Sequence, residues 1–348
     1  MSPRSLIRSL LFLGAAGAAA GLIVVALSAP KSAAAGWLVG FAFWAQILIG
    51  SLLLMMIHRL TGGRWGVAIA PAVDPTVAAV PLLIVLAVPL FIAIPALYPW
   101  WHTQALKHDV LSAYLNTPGF VLRSAVALTG WAALALLLPT RAGLSAQLLA
   151  ALGLVFTALL VSGVSIDWFL SLEPPFTSSS FGASVAISSL IAALAWAALL
   201  MPAADSDPAV GDIGALLLAT VLGITYIDFM AVLVIWYGDL PREEIWFVLR
   251  DRWPWPILAV AAFVLVSLIP VLCLMLSRVR NRQRPLRAVA ACVLVGLALY
   301  DCYLIAPSSG PGTLATAALA LIGIGLFLIG LIAGGASAAG ANEQAHVR

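Results

Sequence analysis

Residues 213–237, IGALLLATVLGITYIDFMAVLVIWY, form a run in which Asp228 is the single charged residue. At about 1.5 Å per residue, a helix of this length exceeds the roughly 30 Å hydrocarbon core of a bilayer. A barrel strand would need polar and apolar residues to alternate over about ten positions, and the run does not alternate. Lipid satisfies no backbone N–H or C=O group, so such a run crosses the membrane as a helix.

The pattern recurs along the chain. Apolar runs predict spans at 8–28, 37–57, 77–98, 118–138, 145–166, 180–201, 213–237, 255–277, 287–306 and 312–334. The whole is an all-α integral membrane chain of about ten helices, 1–348, read as two tandem four-helix bundles, 37–166 and 180–306, with peripheral helices at 8–28 and 312–334. Composition agrees: 63% of the 348 residues are hydrophobic, 9% are charged and the mean hydropathy is +1.11. A soluble domain carries roughly a quarter charged residues, so this is not a soluble enzyme. Arg4 and Arg8 before the first run and Ser28-Ala29-Pro30 after it also fit a cleaved signal peptide, but the run is long for one and is read as a helix.

With ten spans, the N-terminus and the even-numbered connections share a side that holds about 11 of the 17 Lys/Arg residues. Arg278, Arg280, Arg282 and Arg284 dominate that count, which places both termini in the cytoplasm. A formal charge of +3 without a polybasic patch implies no nucleic-acid partner. Two outer connections are expected to hold helices lying in the interface. In the first, Leu106, Val110, Leu111 and Tyr114 share a face; in the second, Asp239 caps a helix begun by Pro241, with Ile245, Trp246, Leu249 and Trp253 as the stripe before Pro254. Arg242, Glu243, Glu244, Trp246 and Trp253 are the partner-docking candidates on that second helix. Phe120-Val121-Leu122-Arg123 recurs as Phe247-Val248-Leu249-Arg250 after the two outer connections, which hints at a repeat. Both arginines stand near helix ends, where long side chains snorkel to water.

A carboxylate at a helix centre costs about 3 kcal/mol, so Asp228 marks a position facing the bundle interior or water. Asp301, flanked by Tyr300 and Tyr303, and Asp167, beside Trp168, extend the proton-path candidates, and Tyr226 joins Asp228 in its run. Glu173, in a connecting loop before Pro174, is expected to be solvated. A membrane-embedded b-type haem needs two axial side chains at depth; His58, His102, His108 and His346 lie at helix ends, in a connection or in the tail. Cys273, Cys292 and Cys302 have no paired spacing and read as packing residues. Thr61-Gly62-Gly63-Arg64-Trp65-Gly66 lacks the Walker spacing and reads as a cytoplasmic turn.

Four segments together resemble the ActF membrane subunit (quinone-binding subunit 2) of alternative complex III, a bacterial quinol:electron acceptor oxidoreductase, within the NrfD-like polysulfide-reductase membrane family. They are His58-Arg59-Leu60-Thr61-Gly62-Gly63 with Trp65-Gly66, Tyr114-Leu115-Asn116-Thr117-Pro118 with Arg123, residues 167–174 (DWFLSLEP), and residues 226–230 (YIDFM) continuing to residues 235–241 (IWYGDLP). The chain departs from that family in having Pro175-Phe176 where a histidine and an aromatic commonly follow. The resemblance implies a subunit of the bacterial inner membrane with no redox cofactor of its own. Beside it would stand a quinol-binding membrane subunit, and above it periplasmic subunits carrying haem c and iron–sulfur clusters. It implies a proton-path role for Asp167 and Asp228, whereas Asp301 lies outside the matching segments. The other reading of intramembrane acids in a repeated helical chain is a proton-coupled secondary transporter, whose discontinuous helices would be hinted at by Pro81, Pro89 and Pro95.

Overall fold

The computed structural model describes residues 3–102, 114–174, 178–202 and 208–346; the side chains of residues 3–4, 242 and 333–346 lie outside the description. The described residues hold helices and no strand. Its principal helices are α1 Pro3–Ser28, α2 Pro30–Thr61, α3 Arg64–Ala78, α4 Leu82–Ile92, α5 Thr117–Leu137, α6 Gly143–Trp168, α7 Phe181–Leu200, α8 Pro208–Gly238, α9 Pro241–Val248, α10 Trp255–Phe263, α11 Ile269–Met275, α12 Gln283–Ile305 and α13 Thr313–His346. Nine helical stretches among the described residues are long and apolar enough to cross a membrane, and α3 with α4, bent by 49° at their junction, make a tenth where the pair is counted as one span. The chain is thus an all-α, membrane-like fold.

The central element is α2. Its whole apolar stretch is buried, and it packs against α1, α3, α6, α7, α12 and α13. Lipid offers no hydrophobic drive to bring helices together, so close packing has to supply the attraction, and small residues let backbones approach. Gly40 faces Ala320 of α13, where an added Cβ would sit 2.7 Å from the alanine methyl, and Gly50 faces the Ser189 carbonyl of α7. Because α2 and α7 open the two expected bundles, their contact joins both halves in one buried core. At the outside, α1 and α13 pair through Phe12 and Phe327 and through Ala18 against Gly323.

Two local expectations need correction. The third span does not begin at residue 77: α3 starts at Arg64, tolerates Pro71 and Pro75, and breaks at residues 79–81 before α4 resumes. Proline lacks a backbone donor, and Pro81 stands where the turn closes. Second, α9 is not capped by Asp239. Leu240 is its N-cap without a side-chain bond, and Asp239 takes φ +47, which turns the chain sharply out of α8. Pro241 does begin α9, but the helix ends at Val248 instead of running to Pro254, because the next residues draw Arg250 into the interior. Of the helix expected in the first outer connection, Leu106, Val110 and Leu111 lie outside the described residues.

Candidate functional site

Two arginine clamps, with Arg123 partly exposed and Arg250 buried, stand where snorkelling side chains are expected. The Arg123 Nε and Nη2 atoms donate to both Asp167 oxygens at 2.7 and 2.8 Å, and Nη2 also donates to the Tyr114 carbonyl at 3.0 Å. Its guanidinium lies 3.7 Å from the centre of the Tyr114 ring. Asn116 caps α5 through Gly119 N–H, fixing the first turn of the helix, and Arg123 projects from the second. The Asp167 side chain is wholly buried, so a fork-to-fork pair is the geometry that can hold its charge there. Burial and the Asp167 charge raise the Tyr114 phenol above its ordinary pKa.

The second clamp is built from Arg250 and Glu173. Arg250 Nη1 and Nη2 donate to the two Glu173 oxygens at 2.8 and 3.3 Å, and the arginine also donates to the Trp246, Tyr303 and Leu304 carbonyls. Its guanidinium lies 3.6 Å from the Trp246 ring centre. Burial lowers the Arg250 pKa from its ordinary value, and the Glu173 carboxylate pulls it back up. Glu173 is therefore not a solvated loop acid: a 3₁₀ turn at Leu170–Leu172, following α6, carries it onto Arg250. The recurring FVLR segments thus both end in a clamped arginine, one paired with α6 and one with the connection after it.

Deeper in the bundle lies a line of polar groups. Ser184 of α7 donates to Asp228 Oδ1 at 3.4 Å, and Tyr300 of α12 sets its hydroxyl against the same carboxylate. The next residue, Asp301, projects about 100° around α12 from Tyr300 and accepts a 2.8 Å bond from Gln46 Nε2 of α2. Asp301 Oδ2 and Gln46 Oε1 are both buried without a partner. The groups therefore run from α8 through α12 to α2, and the two unpartnered oxygens leave acceptor capacity on the line for a proton or a water.

Asp228, Tyr300 and Tyr303 share a cavity of about 320 Å³ between α8, α10 and α12. Phe229, Val232 and Phe263 on its margin are exposed, so it opens sideways toward lipid. Its wall includes Val266 and Ser267 of a π-helical turn, Val264–Leu268, between α10 and α11. There Ile269 N–H reaches back five residues to Val264, and Pro270 has no donor to offer the Val266 carbonyl. The widened turn fits against Gly296 of α12, where a Cβ would lie 2.7 Å from a Val266 methyl.

Other predicted residues fall elsewhere. Tyr226 is 64% exposed and lines a separate groove of about 790 Å³ on the far side of α8, away from the Asp228 cavity. Asp167 joins Arg123 and has no hydrogen bond to Asp228 or Asp301. Glu243 and Glu244 occupy the first turn of α9, where the helix dipole favours acids. Trp246 is turned inward onto Arg250 and Tyr303, while Trp253 is 77% exposed. The Arg242 side chain lies outside the description. Sequence reading missed Gln46, Ser184 and Asp74. The first two are uncharged polar residues with nothing local to set them apart from the others of that kind in α2 and α7; Asp74 stood before the assumed start of the third span. No protein-family model and no curated protein matches the chain.

Proposed function

We propose that this chain is a cofactor-free membrane subunit of a quinol:electron acceptor oxidoreductase of the alternative complex III type, and that it carries protons through its interior. The observation supporting it best is the line Asp228, Tyr300, Asp301 and Gln46, because polar groups deep among apolar helices are costly and cluster on ion and proton pathways. A carboxyl accepts or releases a proton, and a phenol passes one on by receiving at its oxygen as it gives up its own. The clamps Arg123–Asp167 and Arg250–Glu173 brace the end of the bundle that would face periplasmic subunits with haem c and iron–sulfur clusters. The arginine-rich connection at 277–286 would face the cytoplasm of a bacterial inner membrane, as would both termini.

The proton-coupled transporter is the second reading, and the break between α3 and α4 favours it. A repeat-based transporter would have matching interruptions in corresponding spans. Here the other interruption, the π turn at Val264–Leu268, falls in the eighth crossing, while the third crossing corresponds to the seventh, α8, which is continuous. The test is Asp228→Asn and Asp301→Asn in the assembled complex. Fewer protons moved per quinol oxidised, with assembly intact, is the expected result; an unchanged proton yield from both variants would remove the line from the mechanism.

A further inference from the structure

In α3, Asp74 lies ten residues beyond Arg64, about 15 Å along the helix. It is exposed on a stripe with Val67 and Pro71, which continues in α4 through Val85, Val88 and Ile92. Beyond Arg64 at its start, the other members of that stripe are apolar. Asp74 accepts no hydrogen bond from the described residues; what it has is the charge of Arg59 and the nearby His58 at the end of α2. Acyl chains cannot solvate a carboxylate, so something polar has to reach it.

The structure provides the space. A groove of about 390 Å³ between α2 and α3 has His58, Arg59 and Trp65 toward its rim and Asp74 among its lining residues. A water molecule occupies about 30 Å³ of liquid, so a file of several fits. The rim is held open by the hairpin: the His58 ring bonds the Gly63 carbonyl at 3.0 Å and stands edge-on to Trp65, with ring centres 5.3 Å apart. Gly66 passes under that ring where any Cβ would overlap it. Since Gly66 faces His58 in this antiparallel pair, Asp74 stands level with about residue 50 of α2, roughly one turn from Gln46.

We propose that this groove is a hydrated inlet through which protons reach Asp74 from the hairpin side and enter the bundle near the level of Gln46. The inlet rests on the proton-carrying reading above. Chemistry favours a proton over a metal ion: sodium or potassium would shed its water for one carboxylate while facing the Arg59 charge, whereas a proton needs only a file of water and a carboxyl oxygen.

Asp74→Cys, with Val85→Cys as a lipid-facing control and the native protein as background for its three cysteines, is treated in sealed vesicles with a permanently charged methanethiosulfonate reagent. Such reagents need a hydrated thiolate, so Asp74→Cys should react at least about tenfold faster than the control, and from the hairpin side only. Equal rates would overturn the inlet. Reaction in the isolated chain but not in the assembled complex would overturn it too, since a partner helix would then cover Asp74. Proton yield separates the two readings: Asp74→Asn should lose proton uptake and Asp74→Glu should retain it. A reactive Asp74→Cys with full uptake in Asp74→Asn overturns the inlet alone, while full uptake in Asp228→Asn and Asp301→Asn overturns the reading beneath it.

Discussion

Removing the Arg123 guanidinium would strand the Asp167 carboxylate, whose side chain has no exposure to water. Breaking one side of a buried pair costs about 3–5 kcal/mol, whereas replacing both partners by apolar groups of similar volume is often neutral. Arg123→Ala should therefore lower the unfolding midpoint sharply in detergent, and Arg123→Met combined with Asp167→Leu should recover most of the loss. A double variant as unstable as the single one would mean that the pair's attraction exceeds its desolvation cost. Asp228 is legible in the sequence because one acid in an apolar run stands out in one dimension. The clamps are not, since Asp167 and Glu173 lie 44 and 77 positions from their arginines and nothing local marks the pairing. Glu173 in particular reads as a solvated loop acid until the 3₁₀ turn delivers it to Arg250.

At the scale of elements, the number of crossings and their rough positions follow from hydropathy alone, because lipid imposes length and composition on each helix separately. What hydropathy cannot see is helix continuing beyond the apolar run. α2 begins at Pro30 rather than 37, and α3 begins at Arg64, so Asp74 belongs to a helix although hydropathy assigns it to a loop. Packing between helices is likewise written in small residues that hydropathy ignores. A Cβ at Gly50 would overlap the Ser189 carbonyl and come within 2.9 Å of the Ala193 methyl, and both belong to helix backbone or to a short side chain that cannot rotate away. Gly50→Ala should force α2 and α7 apart and reduce the yield of folded protein. Gly17→Ala in α1, where nothing lies within 4 Å, should be neutral or gain up to about 1 kcal/mol from helix propensity. Thermal unfolding of the two variants side by side separates a packing cost from a general intolerance of substitution.

For the whole molecule, the two clamps and α9 lie at one end and the arginine-rich connection at the other. The ion pair at the second end, Arg64 with Asp212 at 2.6 Å, is solvent-exposed and of the kind worth under about 1 kcal/mol. The clamped end is thus the more firmly built, and it also leaves apolar surface uncovered: Ile245 and Val248 of α9 and Leu249 and Trp253 beyond it are exposed, while Trp246 is committed to Arg250. A helix that only rests on lipid would have its tryptophan at headgroup depth and, at constant net charge, would be indifferent to the order of its charges. A docking helix would not, because like charges opposed across an interface cost several kcal/mol. Arg242→Glu with Glu244→Lys conserves the net charge of α9 while inverting its pattern, so membrane affinity is held nearly constant. Co-purification of the proposed partner subunits should fall with that double variant and with Trp253→Ala, while the chain itself remains folded and membrane-bound. Retained partners in both variants would assign α9 to the lipid surface and move the search for a docking face to the exposed stripe of α3 and α4.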